Sequence, residues 1–501
     1  FMFGCYTMGT QGIITMFLSL KDQLLSYGMI AVALQISFIV GVTLRVMLTR
    51  HPPGSAFAWI LLTTLLPYAG FLLYLLLGER TLGRWHALKL RKAMRKKRQQ
   101  FRQISHTESR SPIAYRGLSR MATRLGKYPL TIESSLHLLD DSDEALTRLE
   151  ADIDNAKEFI LMEFYIWDIG GKADNISAAI VRAARRGVKC YVLVDSIGSR
   201  RFLKSDWVYL FKDANVHLEE ALPVNLISAL LARADIRLHR KIVVIDNQIG
   251  YSGSLNMVDP QFFKSNSSSS QWIDAMVQAK GEIVESLYQL IEFDWEVLTD
   301  SKEQLPNKKL KEFEFDEKDQ AIVMVVPSGP GTSHDANQRI ILQAIHEAKK
   351  EIQIVTPYFV PGEALALALQ NAAIRGVKVT IILSEKTDSS LVSYAARRYF
   401  DDLLQSGVEI QLYHSGVLHT KSIVIDGTLS LFGTVNMDVR SLHLNYELML
   451  MVMDREFAQK LETLNQSYVH DSSKLIPHIW YRRGLWERTK EGASYLLSPL
   501  L

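Results

Sequence analysis

Two histidines, each followed by a lysine two residues later, are the residues of this 501-residue chain best suited to chemistry. The first group reads His239-Arg-Lys241, four apolar residues, Asp246, six further residues and then Gly253-Ser254-Leu-Asn256. The second reads His419-Thr-Lys421, Ser422 to Ile425, Asp426, six residues and Gly433-Thr434-Val-Asn436, with every spacing reproduced. At residue frequencies of roughly 5% each, a second match at these fixed offsets arises by chance in well under about one chain in ten thousand. A lone histidine in a strand is ordinarily a core or surface residue. A duplicated set in register is a functional unit.

The β-branched runs after each lysine predict buried strands, so His and Lys project from one strand face, roughly 6.5 Å apart along the chain. A basic imidazole and a fixed cation then converge on one point. The Gly-Ser/Thr-x-Asn segment adds a close backbone approach, a hydroxyl and an amide donor. That combination suits a phosphodiester anion. Each half supplies a single imidazole, so an acid/base pair requires the halves to face each other across a pseudo-twofold cleft. One neutral imidazole attacks phosphorus and forms a phosphohistidine, while the other, protonated, hands its proton to the leaving alcohol and later deprotonates the incoming one. An unperturbed imidazole titrates near about 6.5, so modest shifts suffice to keep one ring neutral and the other charged. Lys241, Lys421, Asn256 and Asn436 would hold the nonbridging oxygens, with Ser254 and Thr434 counted among the substrate-binding residues, which makes a metal or other cofactor unnecessary. Asp246 and Asp426 lie an odd number of residues from their histidines, on the opposite strand face, and read as structural anchors of the turn.

The elements that must position these groups repeat as well. A strand over 158–167, a helix over 175–186 ending at Gly187 and a strand over 188–194 form a βαβ unit. Segments 351–360, 363–375 with Gly376, and 377–383 form its twin, and Ala183-Ala-Arg-Arg-Gly-Val-Lys189 aligns with Ala372-Ala-Ile-Arg-Gly-Val-Lys378. The fold class is therefore α/β, with tandem domains at 120–300 and 321–480, a charged joint over 300–320 and a tail at 481–501. A serine-rich stretch, 266–270, reads as a mobile loop. Segments 222–231 and 480–486, the latter with Arg482 and Arg483 among aromatics, suit either core packing or a bilayer surface.

Residues 1–105 have another character. Runs of 21 residues at 24–44 and 22 residues at 56–77 carry no charge, and each is long enough to cross a hydrocarbon core of about 30 Å as a helix. They predict a transmembrane hairpin. Residues 80–102 hold ten Lys and Arg without an acid. That bias places the following chain, and the N-terminus, in the cytoplasm, with the basic stretch on anionic lipid. The net charge of +3 decides nothing about nucleic acid. Cys5 and Cys190 stand too far apart in sequence to suggest a disulfide framework or zinc site, which fits a reducing compartment.

The paired motifs resemble the HxKxxxxD signature of the phospholipase D superfamily, in which Asp246 and Asp426 are counted with the catalytic set. The wider chain is similar to the bacterial cardiolipin synthases of that superfamily. The likeness extends to Pro52-Pro-Gly54, Leu77-Gly-Glu-Arg80, Tyr165-Ile-Trp167, Thr356-Pro-Tyr-Phe-Val-Pro361 and Leu497-Ser-Pro-Leu-Leu501. It implies two phospholipase D-like domains, orienting carboxylates at Asp274 and Glu447, His239 as nucleophile and His419 as acid. The implied reaction joins two phosphatidylglycerols into cardiolipin and glycerol at a bacterial cell membrane, with no nucleic-acid partner. Departures are Ile273 where Arg is usual, Ala275 where Thr is common, and Thr434 for Ser.

A phospholipase D hydrolase, a phosphodiester nuclease and a membrane scaffold with a relic site are the competing readings. Intact His, Lys and Asn pairs argue against the relic, and the apolar start argues against the nuclease. Because two cations and two amides take the place of a divalent ion, activity should survive exhaustive EDTA treatment and gain nothing from added Mg²⁺, as measured by turnover of lipid phosphodiester.

Overall fold

The fold is described from a computed structural model over residues 10–49, 53–78, 88–95, 110–223, 235–263, 271–306, 320–333, 335–387 and 389–496. Most of the basic stretch 80–102, most of 222–231, the serine-rich loop 266–270, most of the joint 300–320 and the 497–501 end lie outside the described residues. The chain divides into two compact units, residues 1–83 with 225–235, and 84–224 with 236–501.

In the first unit the helix Thr10–Leu48 contains one stretch, Gly28–Leu48, long and apolar enough to cross a membrane, with a mean hydropathy of 2.0. The second apolar run departs from the expected continuous span. It forms a helix Pro53–Leu65, a shorter helix Pro67–Leu73 and a wide turn Tyr74–Gly78. Proline at 67 explains the break: it has no N–H for the preceding turn, and it forces Leu66 out of helical geometry (φ −130°, ψ 72°). The 13 residues of Pro53–Leu65 are too few to span about 30 Å of hydrocarbon as a helix. Phe38 stacks on Phe71 with centroids 4.3 Å apart, and Trp59 meets Tyr74 edge-on at 5.5 Å, so the pieces pack through aromatic rings.

The second unit holds two mixed sheets of matching topology. One runs Ser134–Leu139, Met276–Gly281, Ile249–Gly253, Lys241–Ile245, Phe159–Phe164, Lys189–Asp195, His217–Ala221. In the other, the corresponding strands are Val323–Ser328, Glu447–Val452, Leu429–Gly433, Ser422–Ile425, Glu351–Thr356, Lys378–Ser384 and Glu409–Tyr413, with Leu130–Thr131 and Ser472–Lys474 added at the edges. The crossover helices are Lys172–Arg185 and Gly362–Ile374. Gly187 (φ +94°) and Gly376 (φ +90°) turn the chain out of each helix in the left-handed conformation that other residues resist. Each motif strand lies antiparallel to the first strand of its βαβ unit, Ile160 opposite Ile245 and Ile352 opposite Ile425, where its neighbours on both sides satisfy its backbone.

Two boundaries move. Most of helix Arg116–Gly126 and all of strand Leu130–Thr131 fall in the range 120–300 assigned to the first domain, yet Ala122 and Leu130 are buried in the core of the second, and Leu130 pairs with Met324. The apolar face of that helix finds its complement there rather than in the sheet that follows it in sequence. The stretch taken as a tail is also structural, because helix Leu485–Leu496 packs on helix Ser390–Gln405, with Tyr495 edge-on to Tyr399 at 5.5 Å.

The motif aspartates stand at the far ends of their strands from the histidines. Asp246 accepts the backbone N–H groups of Lys157, Glu158 and Phe159 at 2.8–2.9 Å, and Asp426 those of Lys349, Lys350 and Glu351 at 2.7–3.0 Å. Both adopt positive φ, +54° and +53°, a region that Asn tolerates as well as Asp. Asp246→Asn should therefore keep the backbone but lose the charge and, because its NH₂ cannot accept, the bond to one side of the carboxylate. Its expected cost is about 2 kcal/mol of unfolding free energy, from the loss of the anion and of one side's acceptor, with kcat unchanged. Thermal denaturation beside a rate assay checks both halves of that expectation.

Candidate active site

The two histidine segments are held by the opposite lobe. Leu238 lies parallel to Tyr446, where the His239 N–H donates to the Tyr446 carbonyl at 2.9 Å and the Tyr446 N–H to the Arg237 carbonyl at 3.0 Å. In the twin, Val417–Leu418 runs parallel to Trp272–Ile273, and the His419 N–H donates to the Ile273 carbonyl at 2.8 Å. The side chains follow the same exchange. His239 Nδ1 meets Glu447 Oε2 at 2.9 Å and His419 Nδ1 meets Asp274 Oδ1 at 2.6 Å. A carboxylate acceptor fixes the proton on Nδ1, which leaves the Nε2 lone pair for chemistry. Sequence reasoning named these carboxylates; that each follows one motif and serves the other is a tertiary finding.

Ser254 and Thr434, expected to touch substrate, are instead spent on those carboxylates. Ser254 donates to Asp274 Oδ1 at 2.6 Å, and Thr434 donates to Glu447 Oε2 at 2.5 Å. Ser441 adds a bond to Glu447 Oε1 at 2.7 Å. A buried carboxylate needs several donors, and the hydroxyl of the Gly-Ser/Thr-x-Asn segment is the nearest. Threonine serves as well as serine. The Asn256 side-chain oxygen accepts the Ile166 N–H at 3.2 Å, which leaves its NH₂ as the end able to donate to an anion; Asn436 occupies the twin position and is also buried. Asp246 and Asp426 take no part in this network, because they are engaged at the other strand ends.

Lys241 and Lys421 are buried beside the imidazoles, each donating to the carbonyl of its own histidine at 2.6 and 2.5 Å. Burial pushes Lys241 down to about 8 and Lys421 down to about 7, with the Glu447 and Asp274 carboxylates opposing. It pushes both histidines down to about 4, against the pull of the same carboxylates. Burial thus drives both rings toward the neutral form, where the sequence leads one to expect one neutral and one charged ring. For Asp274 and Glu447 burial acts upward, but the His419 and His239 partners and the lysines hold them below their usual range. Each lysine also bears electrostatically on the other lobe's histidine, so the four groups share one pocket of charge. Aromatic walls complete it: the Tyr165 ring lies 5.0 Å from that of His239, and Trp272 stacks on His419 at 4.2 Å.

Arg240, between the first His and Lys, was not singled out from sequence. It is fully buried, and its Nε donates to the Glu447 carbonyl and its terminal nitrogen to the Ser328 carbonyl, both at 3.0 Å, while it pairs with Asp294. Glu163 lies in the same cluster and is raised well above its usual range, by burial and then by the Asp294 charge. The twin residue, Thr420, makes only neutral bonds, to the Ile273 carbonyl at 3.3 Å and the Tyr468 hydroxyl at 3.0 Å. An arginine beside a buried strand was the available signal, since such a cation requires a buried acid. Ile273, where the resemblance leads one to expect Arg, contributes through its carbonyl, so the backbone link to His419 does not depend on the side chain.

The family model described as "Cardiolipin synthase, PLD-like domain" matches residues 149–295 and 341–468, one segment over each motif. A model described as "Phospholipase_D-nuclease N-terminal" matches residues 33–79. Cardiolipin synthase A of Klebsiella pneumoniae subsp. pneumoniae is 40% identical over 468 residues, 92% of this chain and 96% of that protein. The protein of the same name from Escherichia fergusonii is 39% identical over the same shares. Among solved structures, the phosphatidylserine synthase of Haemophilus influenzae Rd KW20 shares the fold, with a TM-score of 0.57 at 16% identity over 77% of this chain and all of that one.

The lysine shifts give a pH dependence with a definite sign. Both ammonium groups are charged below their pKa and discharge as pH rises through about 7 for Lys421 and about 8 for Lys241. Sulfate keeps a constant charge over that range. Its competitive inhibition constant should therefore weaken steadily from pH 6 to pH 9, and calorimetry in buffers of different ionisation enthalpy should show proton uptake on binding.

Proposed function

The chain belongs to the phospholipase D-type cardiolipin synthase family, and from that membership we propose that its paired half-sites transfer a phosphatidyl group between two phosphatidylglycerols. The observation that carries the proposal is the pair of imidazoles, each held through Nδ1 by a carboxylate of the opposite lobe beside a buried lysine. His239 Nε2 attacks the phosphorus of the first lipid, a phosphorus–nitrogen bond forms and the phosphorus–oxygen bond to glycerol breaks, while His419 protonates the departing oxygen. The terminal hydroxyl of the second lipid then gives its proton to His419 and attacks the phosphohistidine, releasing His239 and leaving cardiolipin. One phosphodiester replaces another, so no nucleotide is consumed.

The electrostatics support this order of events. Burial favours the neutral form of both rings, which suits a nucleophile but not an acid. The arriving phosphodiester anion raises the affinity of His419 for a proton, with each pKa unit worth about 1.4 kcal/mol. Lys241, Lys421 and the Asn256 and Asn436 amides hold the nonbridging oxygens as charge builds on them. The choice of nucleophile follows the family resemblance, and one asymmetry favours it. Glu447 accepts hydroxyls on both oxygens and so pulls less on His239, whereas Asp274 holds His419 at 2.6 Å and stabilises its charged form.

For the membrane we propose two spans: Gly28–Leu48, and a second, interrupted one built from Pro53–Leu65 and Pro67–Leu73. The cationic excess over 80–102 supports a cytoplasmic position for the catalytic lobes in a bacterial cell membrane.

Purified protein in detergent, given phosphatidylglycerol as sole lipid, should yield cardiolipin and free glycerol in equal amounts. Phosphatidic acid in place of cardiolipin would point to hydrolysis, and no turnover at all would defeat the proposal. His239→Ala should remove turnover, and acid-quenched peptide mapping should find the phosphorylated imidazole at position 239; a phosphopeptide containing His419 would reverse the two roles.

A further inference from the structure

Near the C-terminus, the short helix Pro477–Trp480, a turn and the helix Leu485–Leu496 are fastened to helix Ser390–Gln405 around one cation. Arg483 donates to both oxygens of Glu491 at 2.9–3.0 Å and to Asp401 at 3.0 Å. Its guanidinium lies 4.2 Å from the Trp480 ring centroid, and the Trp480 indole N–H donates to Asp401 at 2.6 Å. A network with this many fixed partners holds the turn in a single geometry.

What the fastening holds outward is apolar. Leu485 is 81% exposed and Trp486 71%, and Ile479 and Tyr481 across the turn are exposed too. Single exposed apolar residues are ordinary, but four of them within eight residues, on a turn held by a largely buried ion-pair network, mark a contact surface. The charges around it are mostly positive. Asp401 and Glu491 are engaged by Arg483, with Arg488 also 3.9 Å from Asp401, and Glu487 is paired with Lys490 at 2.8 Å, while Arg398 and Arg482 are exposed against one remaining acid, Asp402. Tryptophan, tyrosine and leucine ringed by arginine suit the headgroup boundary of a bilayer, where the rings bridge apolar and wet layers and the cations meet lipid phosphates.

The surface also adjoins the site. Trp480 and Phe400 help to line a cavity of about 160 Å³ that is bounded elsewhere by Tyr358 and Ser384. The Ser384 hydroxyl accepts the Leu418 N–H at 2.7 Å, one residue before His419. We propose that the corner from Ile479 to Trp486 docks on an anionic lipid bilayer and brings the second half-site to the membrane surface. The inference rests on a lipid substrate for its purpose, but its test does not need turnover.

The full chain, with Cys5→Ser and Leu485→Cys, is labelled at position 485 with an environment-sensitive dye and reconstituted into vesicles containing phosphatidylglycerol; Cys190 is buried and stays unlabelled. Doxyl-labelled lipid should quench the dye at least threefold more than the same dye placed by Tyr209→Cys, a residue 75% exposed on the first lobe. Quenching no stronger than at position 209 overturns the proposal, as does shielding of the dye in detergent that tracks self-association, which would make the partner a second copy of the chain. In a second arm, Leu485→Asp with Trp486→Asp should lower kcat/KM about tenfold for phosphatidylglycerol in bilayers and leave the rate on dissolved short-chain phosphatidylglycerol unchanged. An equal loss on both substrates, or on neither, overturns it. If the chain labelled at position 485 shows lipid quenching while the unsubstituted chain shows no turnover, the docking stands and the catalytic reading fails.

Discussion

The site depends on one exchange: each lobe supplies an imidazole to itself and a carboxylate to its neighbour. His239 rests on Glu447 and His419 on Asp274, and the backbone beside each pair is bonded across the same boundary. A lobe alone would expose its carboxylate and its histidine to water without their partners, so neither pair exists until the lobes meet. Both histidine–carboxylate pairs are therefore completed by the same contacts that hold the lobes together. The hydroxyls of Ser254 and Thr434 belong to this interaction, because each loads the carboxylate that the opposite histidine uses.

Burial then sets the chemistry. Four basic groups packed out of water repel protons, which brings lysines toward neutrality near physiological pH and keeps the histidines uncharged. Such a pocket is made for an anion, since a phosphodiester supplies the missing negative charge and returns the protons that desolvation removed. The two half-sites are nevertheless unlike beneath the surface. Arg240, paired with Asp294 and with Glu163 beside them, braces the first and reaches the Glu447 and Ser328 carbonyls of the second lobe, whereas Thr420 and Tyr468 give the second only neutral bonds. A near-symmetric scaffold thus carries an asymmetric foundation, and the brace bears on the strand that presents the carboxylate of His239.

Much of this was legible before any fold was known. The duplicated spacing named His239, Lys241, His419 and Lys421, and the odd offset of Asp246 and Asp426 already placed them on the other strand face, where they anchor the turns between elements. Other readings failed for identifiable reasons. Composition found an apolar run at 56–77 but gave no weight to Pro67, which breaks the helix there. The hydroxyls at 254 and 434 were assigned to substrate because a sequence does not show which acceptor lies nearest. Helix Arg116–Gly126 went to the wrong lobe because adjacency along the chain stood in for a packing face.

The sequence by itself determined the alphabet of the site, the alternation of strands and helices around it and the existence of two copies, because periodicity and spacing are local properties of a chain. Only the tertiary structure decided which carboxylate serves which histidine, that Arg240 bridges the lobes, and that burial favours the neutral form of both rings. Those facts depend on distances between residues some two hundred positions apart, such as His239 and Glu447, separated by 208. Desolvation and hydrogen bonding act through space, and no local pattern encodes them.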